Sequence, residues 1–226
     1  MQRLELVHQW LSGLFPGQPH SVAPASADAS FRRYFRVTFD DGTSRIVMDA
    51  PPEHEDCRPF VHVAGLLHEA GVHAPEILAQ DLERGLLLLT DLGSTTYLDA
   101  LDASNADVLF RDALDALVKW QLASRPDALP PYDEALLRRE LNLFPDWYVA
   151  RHLGSPLTAP QQEVLEQVQA LLLQNILAQP RVFVHRDYMP RNLMVCEHNP
   201  GVLDFQDAVH GPISYDVASL FRDAFI

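Results

Sequence analysis

The residues best able to do chemistry lie in one segment, Val182 to Ala208, which reads VFVHRDYMPRNLMVCEHNPGVLDFQDA. It holds His185-x-Asp187-x-x-x-x-Asn192, followed by Asp204-Phe205-Gln206-Asp207. Transfer of a phosphoryl group needs a carboxylate beside the attacking hydroxyl and oxygen ligands for a Mg²⁺ ion that bridges the phosphates. Asp187 can serve the hydroxyl, Asn192 offers a neutral oxygen and Asp204 an anionic one. His185 ends an apolar run and can orient the following loop through its ring nitrogens. With 10 histidines in the chain, chance yields roughly 0.02 patterns of the HxDxxxxN type at this composition. The plainer reading, in which Asp187 and Asn192 only cap a loop, is therefore outweighed.

These groups need elements that bring them together. Residues 193–204 read as a hairpin turning at Glu197 to Gly201. With Cys196 opposite Val202, Met194 faces Asp204, and Asn192 lies about 7 Å further along at strand rise. Upstream, Leu4, Val7, Trp10, Leu11 and Leu14 share one face of a helix over residues 3–14. Gln18 to Ser30 is polar and small. Tyr34 to Phe39 and Ser44 to Asp49 read as strands joined by Asp40-Asp41-Gly42. A helix over 59–70 follows, with Pro59 in its first turn, and then short strands near Ile77-Leu78 and over 85–90.

After residues 91–94 the pattern turns helical, over 105–123, 133–151 and 159–178, the last opened by a Thr158/Gln161 capping box. Val182 to Val184, Asn192 to Cys196 and Val202 to Phe205 are short and β-rich, and a helix begins near Ile213. Trp10, Trp120 and Trp147 sit at apolar helical positions and read as core. The expected fold class is α+β and bilobal: a small β-rich lobe over 1–90, a connector at 91–94 and a helical lobe over 95–226. A ligand cleft is expected between the lobes.

Bulk properties narrow the partners. The 17 basic and 31 acidic residues leave a formal charge of −14, which argues against nucleic-acid and anionic-membrane binding. An anion such as ATP then needs a local concentration of donors and metal. Met1 to Trp10 lacks the basic-then-apolar pattern of a signal peptide, and no apolar run reaches the ~20 residues of a membrane span. A cytoplasmic protein is expected. Cys57 and Cys196 form no CxxC pattern and read as inert packing residues. The sequence leaves the oligomeric state open.

The catalytic segment resembles that of the aminoglycoside phosphotransferase family, which shares the protein-kinase fold. Ser30 to Arg36, Val47 to Pro52, Asp91-Leu92-Gly93 and Gly211-Pro212-x-x-Tyr215-Asp216-Val217-Ala218-Ser219-Leu220 extend the resemblance over nearly the whole chain. They are similar to a branch acting on the anomeric hydroxyl of N-acetylmuramate and N-acetylglucosamine in cell-wall (peptidoglycan) recycling. The resemblance implies ATP and Mg²⁺ as cofactors and a small-molecule amino-sugar substrate.

It further implies Asp187 as the base, Asn192 and Asp204 as metal ligands, and Asp216 as a brace for the catalytic loop. Thr90 to Leu92 would meet the adenine, and Ser30, Phe31 and Arg32 would cover the phosphates. Asp207 would assist the metal or bind the sugar. Two departures stand out. The third strand, Ser44 to Asp49, lacks the lysine that kinases use on the phosphates, so Arg32 or Arg33, and of the two Arg32, is expected to supply that charge; Glu55 and Glu69 could pair with such an arginine but read rather as surface carboxylates. The helical lobe is also short relative to the family, ending at Asp223 to Ile226. An ATP-binding module without turnover, an aminoglycoside kinase, and a metal hydrolase using His185, Asp187, His198 and His210 are the alternatives.

Overall fold

In a computed structural model that describes residues 2–27 and 31–222, the chain forms two compact units. The first comprises Met1–Lys119 and Pro190–Asp207, and the second Trp120–Met189 and Ala208–Ala224.

The first unit opens with helix α1 (Gln2–Leu14), then strands β1 (His20–Ala27), β2 (Arg33–Phe39) and β3 (Ser44–Asp49). Helix α2 (Arg58–Glu69), β4 (Ile77–Asp81) and β5 (Leu86–Thr90) complete an antiparallel sheet in the order β1-β2-β3-β5-β4. Alternation in β2 and β3 sends Phe35, Val37 and Val47 to the face covered by Val7 and Leu11 of α1, where Leu86 and Leu88 join them. Trp10 is half-buried against this cluster. β1 occupies the stretch that the sequence marks only as polar and small. It is an edge strand whose register slips between Pro24 and Ser26. An edge strand tolerates proline and needs no apolar alternation, which is why its sequence gives no strand signal.

Asp49, at the end of β3, is completely buried and is clasped by the guanidinium groups of Arg3 and Arg33. Arg3 also donates to the carbonyl of Arg84 at 2.9 Å. Helix α1, β2, β3 and the turn before β5 are thus tied at one carboxylate. Helices α3 (Tyr97–Ala100) and α4 (Ala106–Leu122) follow. α3 has a complete capping box between Thr96 and Asp99.

The second unit holds α5 (Glu134–Leu141), a π-helical segment Phe144–His152, α6 (Ala159–Leu177) and β6 (Arg181–Val184). The single helix expected over 133–151 is therefore broken. Pro145 has no N–H to continue the α-helical ladder, and the chain resumes with the wider π repeat. That change of period turns Trp147 outward: it is 55% exposed, with the Arg151 guanidinium 3.8 Å over its ring, and does not belong to the core. Trp120, by contrast, is buried and stacks at a tilt on Phe183.

After a 3₁₀ turn at Pro190–Asn192, a short ribbon of β7 (Leu193–Met194) and β8 (Gly201–Val202) belongs to the first unit. β9 (Val209–Pro212) then pairs antiparallel with β6, and α7 (Tyr215–Phe221) follows. Tyr132, Leu137, Leu173, Val184 and Val209 form the core here. The sequence Val-His-Gly-Pro carries no strand pattern, so β9 escapes sequence reading. Among the described residues no helix is long and apolar enough to cross a membrane.

Gly85 is the residue whose lack of a side chain the sheet most needs. Its φ is +68°, and an added Cβ would collide with the carbonyl oxygen of Ala50, whose own N–H donates to Gly85 O at 2.8 Å. Gly85→Ala is expected to cost about 2–4 kcal/mol by combining left-handed strain with backbone displacement. Urea unfolding followed by circular dichroism checks this; an unchanged midpoint would contradict it.

Candidate functional site

The β7–β8 ribbon pairs Leu193 with Val202 and Met194 with Gly201. Val202 is therefore opposite a residue three positions earlier than the Cys196 expected from sequence. The cause lies in the outer amides. Val195 N–H donates to Thr95 O at 2.9 Å and Val202 N–H to His73 O at 2.8 Å, while Met194 bridges to Thr96. Pro200 has no N–H to extend the ladder. Inside the turn, Cys196 N–H donates to Asn199 Oδ1 at 2.9 Å.

The observed register brings the two expected metal ligands closer than the expected one would. Leu203 N–H donates to Asn192 O at 2.9 Å, and Asn192 Nδ2 lies 3.5 Å from Asp204 Oδ2. Asp204 has φ +61°, a left-handed conformation a non-glycine residue rarely holds, and strain of this kind gathers at functional positions. Phe205 beside it is fully buried with its ring 4.6 Å from that of Phe60. Gln206, to which the sequence assigns no role, donates to Asp204 Oδ1 at 2.8 Å and Asp207 Oδ2 at 3.3 Å. Its own Oε1 is buried without a hydrogen-bond partner.

This donor set suits a hard divalent cation. Carboxylate and amide oxygens favour Mg²⁺, which takes few protein ligands and keeps its remaining positions for water and phosphate. Half a turn of the Asn192 amide exchanges the nitrogen now facing Asp204 for an oxygen. Among the described residues no three His, Cys, Asp or Glu side chains are grouped to hold a metal, so the hydrolase alternative has no cage.

Also in the first unit, Arg32 Nη2 lies 3.1 Å from Glu55 Oε2, with only 12% and 13% of the two side chains exposed. Burial works against the Arg32 charge, but Tyr34, Glu55 and Asp207 outweigh it and hold its pKa above the ordinary value. Arg33 is instead engaged with Asp49. Phe31 is exposed and stacks on His54 at 4.3 Å. Ser30 lies outside the described residues. In the connector, Thr90 Oγ1 accepts from Glu76 N–H at 2.9 Å, and Asp91 receives Arg36 Nε at 2.6 Å. A Cβ on Gly201 would come within 2.8 Å of Leu92 Cδ1, so Leu92 lies directly against the ribbon.

In the second unit, His185 and Asp216 are both fully buried. Asp216 Oδ2 accepts from His185 N–H at 2.7 Å and Oδ1 from Arg186 N–H at 3.0 Å. Asp187 N–H donates to His185 Nδ1 at 3.2 Å, and Met189 N–H to Asp187 O at 3.0 Å. The loop is bent by Arg186 at φ +78°. Arg186 reaches Glu140 at 2.7 Å, and Glu140 also accepts from the Tyr132 hydroxyl. Glu140 and Tyr132 carry no motif signal and went unread in the sequence.

Burial pushes the Asp216 carboxyl up to about 7, the charge of Asp187 adds to this, and the two amide donors oppose it. A carboxyl whose folded pKa is raised makes the unfolded chain the weaker proton binder between its two pKa values. Stability should therefore fall as pH rises from about 4 towards 7. Asp216→Asn should flatten that slope in urea unfolding at pH 5, 6 and 7, whereas an undiminished slope would assign it elsewhere. Asp216→Ala strands both amides and should cost about 2–3 kcal/mol.

The sequence profile of the phosphotransferase enzyme family matches residues 21–226. A protein of Pseudomonas aeruginosa named N-acetylmuramate/N-acetylglucosamine kinase is 58% identical over 99% of this chain and 69% of its own length. A protein of the same name from Pseudomonas putida is 59% identical over 91% of this chain, which spans only 60% of that relative. Among solved structures, the choline kinase LicA from Streptococcus pneumoniae superposes with a TM-score of 0.69 at 15% identity, over 98% of this chain and 74% of that one. That likeness shows the kinase-like α+β fold. The profile match and the two relatives place the chain by sequence as well: it belongs to the phosphotransferase enzyme family.

Proposed function

We propose that the chain moves the γ-phosphate of ATP to the anomeric hydroxyl of N-acetylmuramate or N-acetylglucosamine. The observation that carries this reading is the 58% identity, across 99% of the chain, to a relative named for a kinase of those two sugars. The juxtaposition of Asn192 and Asp204 supports it chemically.

In this reading Asn192 and Asp204 hold Mg²⁺, which when bound neutralises charge on the phosphates. Asp187 accepts the proton of the sugar hydroxyl and aims its oxygen at the γ-phosphorus. The new oxygen–phosphorus bond forms as the bond to the β,γ-bridging oxygen breaks, and ADP leaves. An anomeric hydroxyl is more acidic than an ordinary alcohol, so a carboxylate is base enough. Asp216 holds the loop that carries Asp187 through two backbone amides. Arg32, directed by Glu55, takes the phosphate-side role of the lysine absent from β3. The backbone of Thr90 to Leu92 receives the adenine, Ser30 and Phe31 cover the phosphates, and Asp207 assists the ion or the sugar.

Release of ADP, followed with N-acetylmuramate, N-acetylglucosamine, kanamycin and choline in turn, tests the acceptor. Turnover is expected with the two N-acetylated sugars; turnover with kanamycin alone would select the aminoglycoside reading. Calorimetric binding of ATP–Mg²⁺ with no ADP release from any acceptor would leave a binding module. Asp187→Asn should lower kcat by about 10²-fold or more while ATP affinity stays within about twofold. Arg32→Ala should raise the KM for ATP about fivefold, on the scale of a lost charge-assisted contact; an unchanged KM removes it from the phosphate site.

A further inference from the structure

We propose that His73 is a positioning residue for the divalent-ion site, pinning the turn of the β7–β8 ribbon so that Asn192 and Asp204 meet. The proposal rests on reading those two side chains as the ion's ligands.

His73 lies in the loop between α2 and β4, outside the catalytic segment. It holds the ribbon through two independent groups. Its backbone carbonyl accepts from Val202 N–H at 2.8 Å, at the start of the strand leading to Asp204. Its ring Nδ1 lies 2.7 Å from the carbonyl of His198, at the far side of the turn, and 3.5 Å from Cys196 Sγ. The two histidine rings meet edge to face at 6.0 Å.

The ribbon needs such help because it is only two residue pairs long, and an isolated two-stranded ribbon is marginal. A slip of one residue would replace Leu203 as the residue bonded to Asn192 O and so reset the approach of Asp204, which this register brings to 3.5 Å from Asn192. Most of the remaining restraint is backbone: Val195 to Thr95, Val202 to His73, and the bridge from Thr96 to Met194. Within the turn Asn199 Oδ1 and Cys196 Sγ bond the backbone of the tip itself, and the ring of His73 fastens that tip to the loop after α2. It also forms one wall of a polar cavity of about 290 Å³, shared with Asp112, Asp115, Lys119 and His198. Shortening it therefore enlarges a wet space and opens no hole in an apolar core, so the fold should survive the change.

His73 acts on the amide of Val202 and on the turn at His198, so its effect on Asn192 and Asp204 passes through the ribbon. Substituting groups one step removed from a metal typically weakens the ion about 10–100-fold. His73 retains its backbone bond in any variant, which puts the expected loss at the lower end of that range.

The test uses Mn²⁺ as a paramagnetic probe, titrated against the whole chain in the presence of ADP and read by electron paramagnetic resonance. His73→Ala should weaken Mn²⁺ about tenfold with its thermal midpoint close to that of the parent chain. His73→Asn places an amide N–H where Nδ1 stood, and should restore the affinity to within about twofold of the parent. Asp204→Asn serves as the reference for the underlying reading. If Asp204→Asn abolishes binding and His73→Ala leaves it unchanged, His73 does not position the site. If both His73 variants lose affinity equally, the hydrogen bond to His198 is not the cause and the proposal fails. If Asp204→Asn itself leaves Mn²⁺ affinity intact, the ion site has been misplaced, and the proposal falls with it.

Discussion

The register of a ribbon two residue pairs long is the constraint from which the candidate site follows. A strand pair of this length has too few hydrogen bonds to choose its own alignment, and the surrounding backbone chooses for it. Thr95 takes the Val195 amide that would have lengthened the ladder, the Val202 amide faces out to His73, and Thr96 bridges to Met194. The outcome sets Asn192 beside Leu203 and brings its amide to 3.5 Å from Asp204. The surroundings fit this placement tightly. Gly201 leaves room for Leu92, Phe205 fills space beside Phe60, and Gln206 ties Asp204 to Asp207. Asp204 accepts a left-handed backbone as part of the arrangement.

A chain with a formal charge of −14 must concentrate its few cations where an anion is to bind. The arginines are fixed by carboxylates: Arg3 and Arg33 by Asp49, Arg36 by Asp91, Arg32 by Glu55 and Arg186 by Glu140. Most of these pairs fasten elements to one another. Arg32 differs in being buried close to Asp207, whose charge acts on it directly. A guanidinium keeps its charge under desolvation better than an ammonium does and can present a second N–H edge while one is occupied. In the proposed function these properties are what would let Arg32 take the place of the lysine absent from β3.

Much of this was legible in the sequence because the signals are local. β2 and β3 flank the Asp40-Asp41-Gly42 turn as expected, α4 lies within the helix expected over 105–123, and α6 opens at its Thr158/Gln161 capping box. Glu55, which the sequence favours as a surface carboxylate, is instead largely covered and paired with Arg32. What the sequence hid depends on tertiary context. β1 is a strand because β2 offers it an edge, and β9 because β6 does. The π-helical period beyond Pro145 took Trp147 out of the core. The ribbon register was misjudged because the amides that decide it bond to Thr95 and His73, far away in sequence. Glu140 and Tyr132 belong to no motif, Gln206 sits in one without an assigned role, and only their contacts reveal them.

If Asn192 and Asp204 act through one ion, the effects of removing them cannot be independent. A double-mutant cycle on Mn²⁺ affinity, with Asn192→Ala, Asp204→Ala and the pair together, measures that dependence directly. The register described here predicts a double variant scarcely weaker than Asp204→Ala alone, since the ion is already lost. Losses that simply add would show that the two side chains serve separate sites, and would contradict the account at its centre.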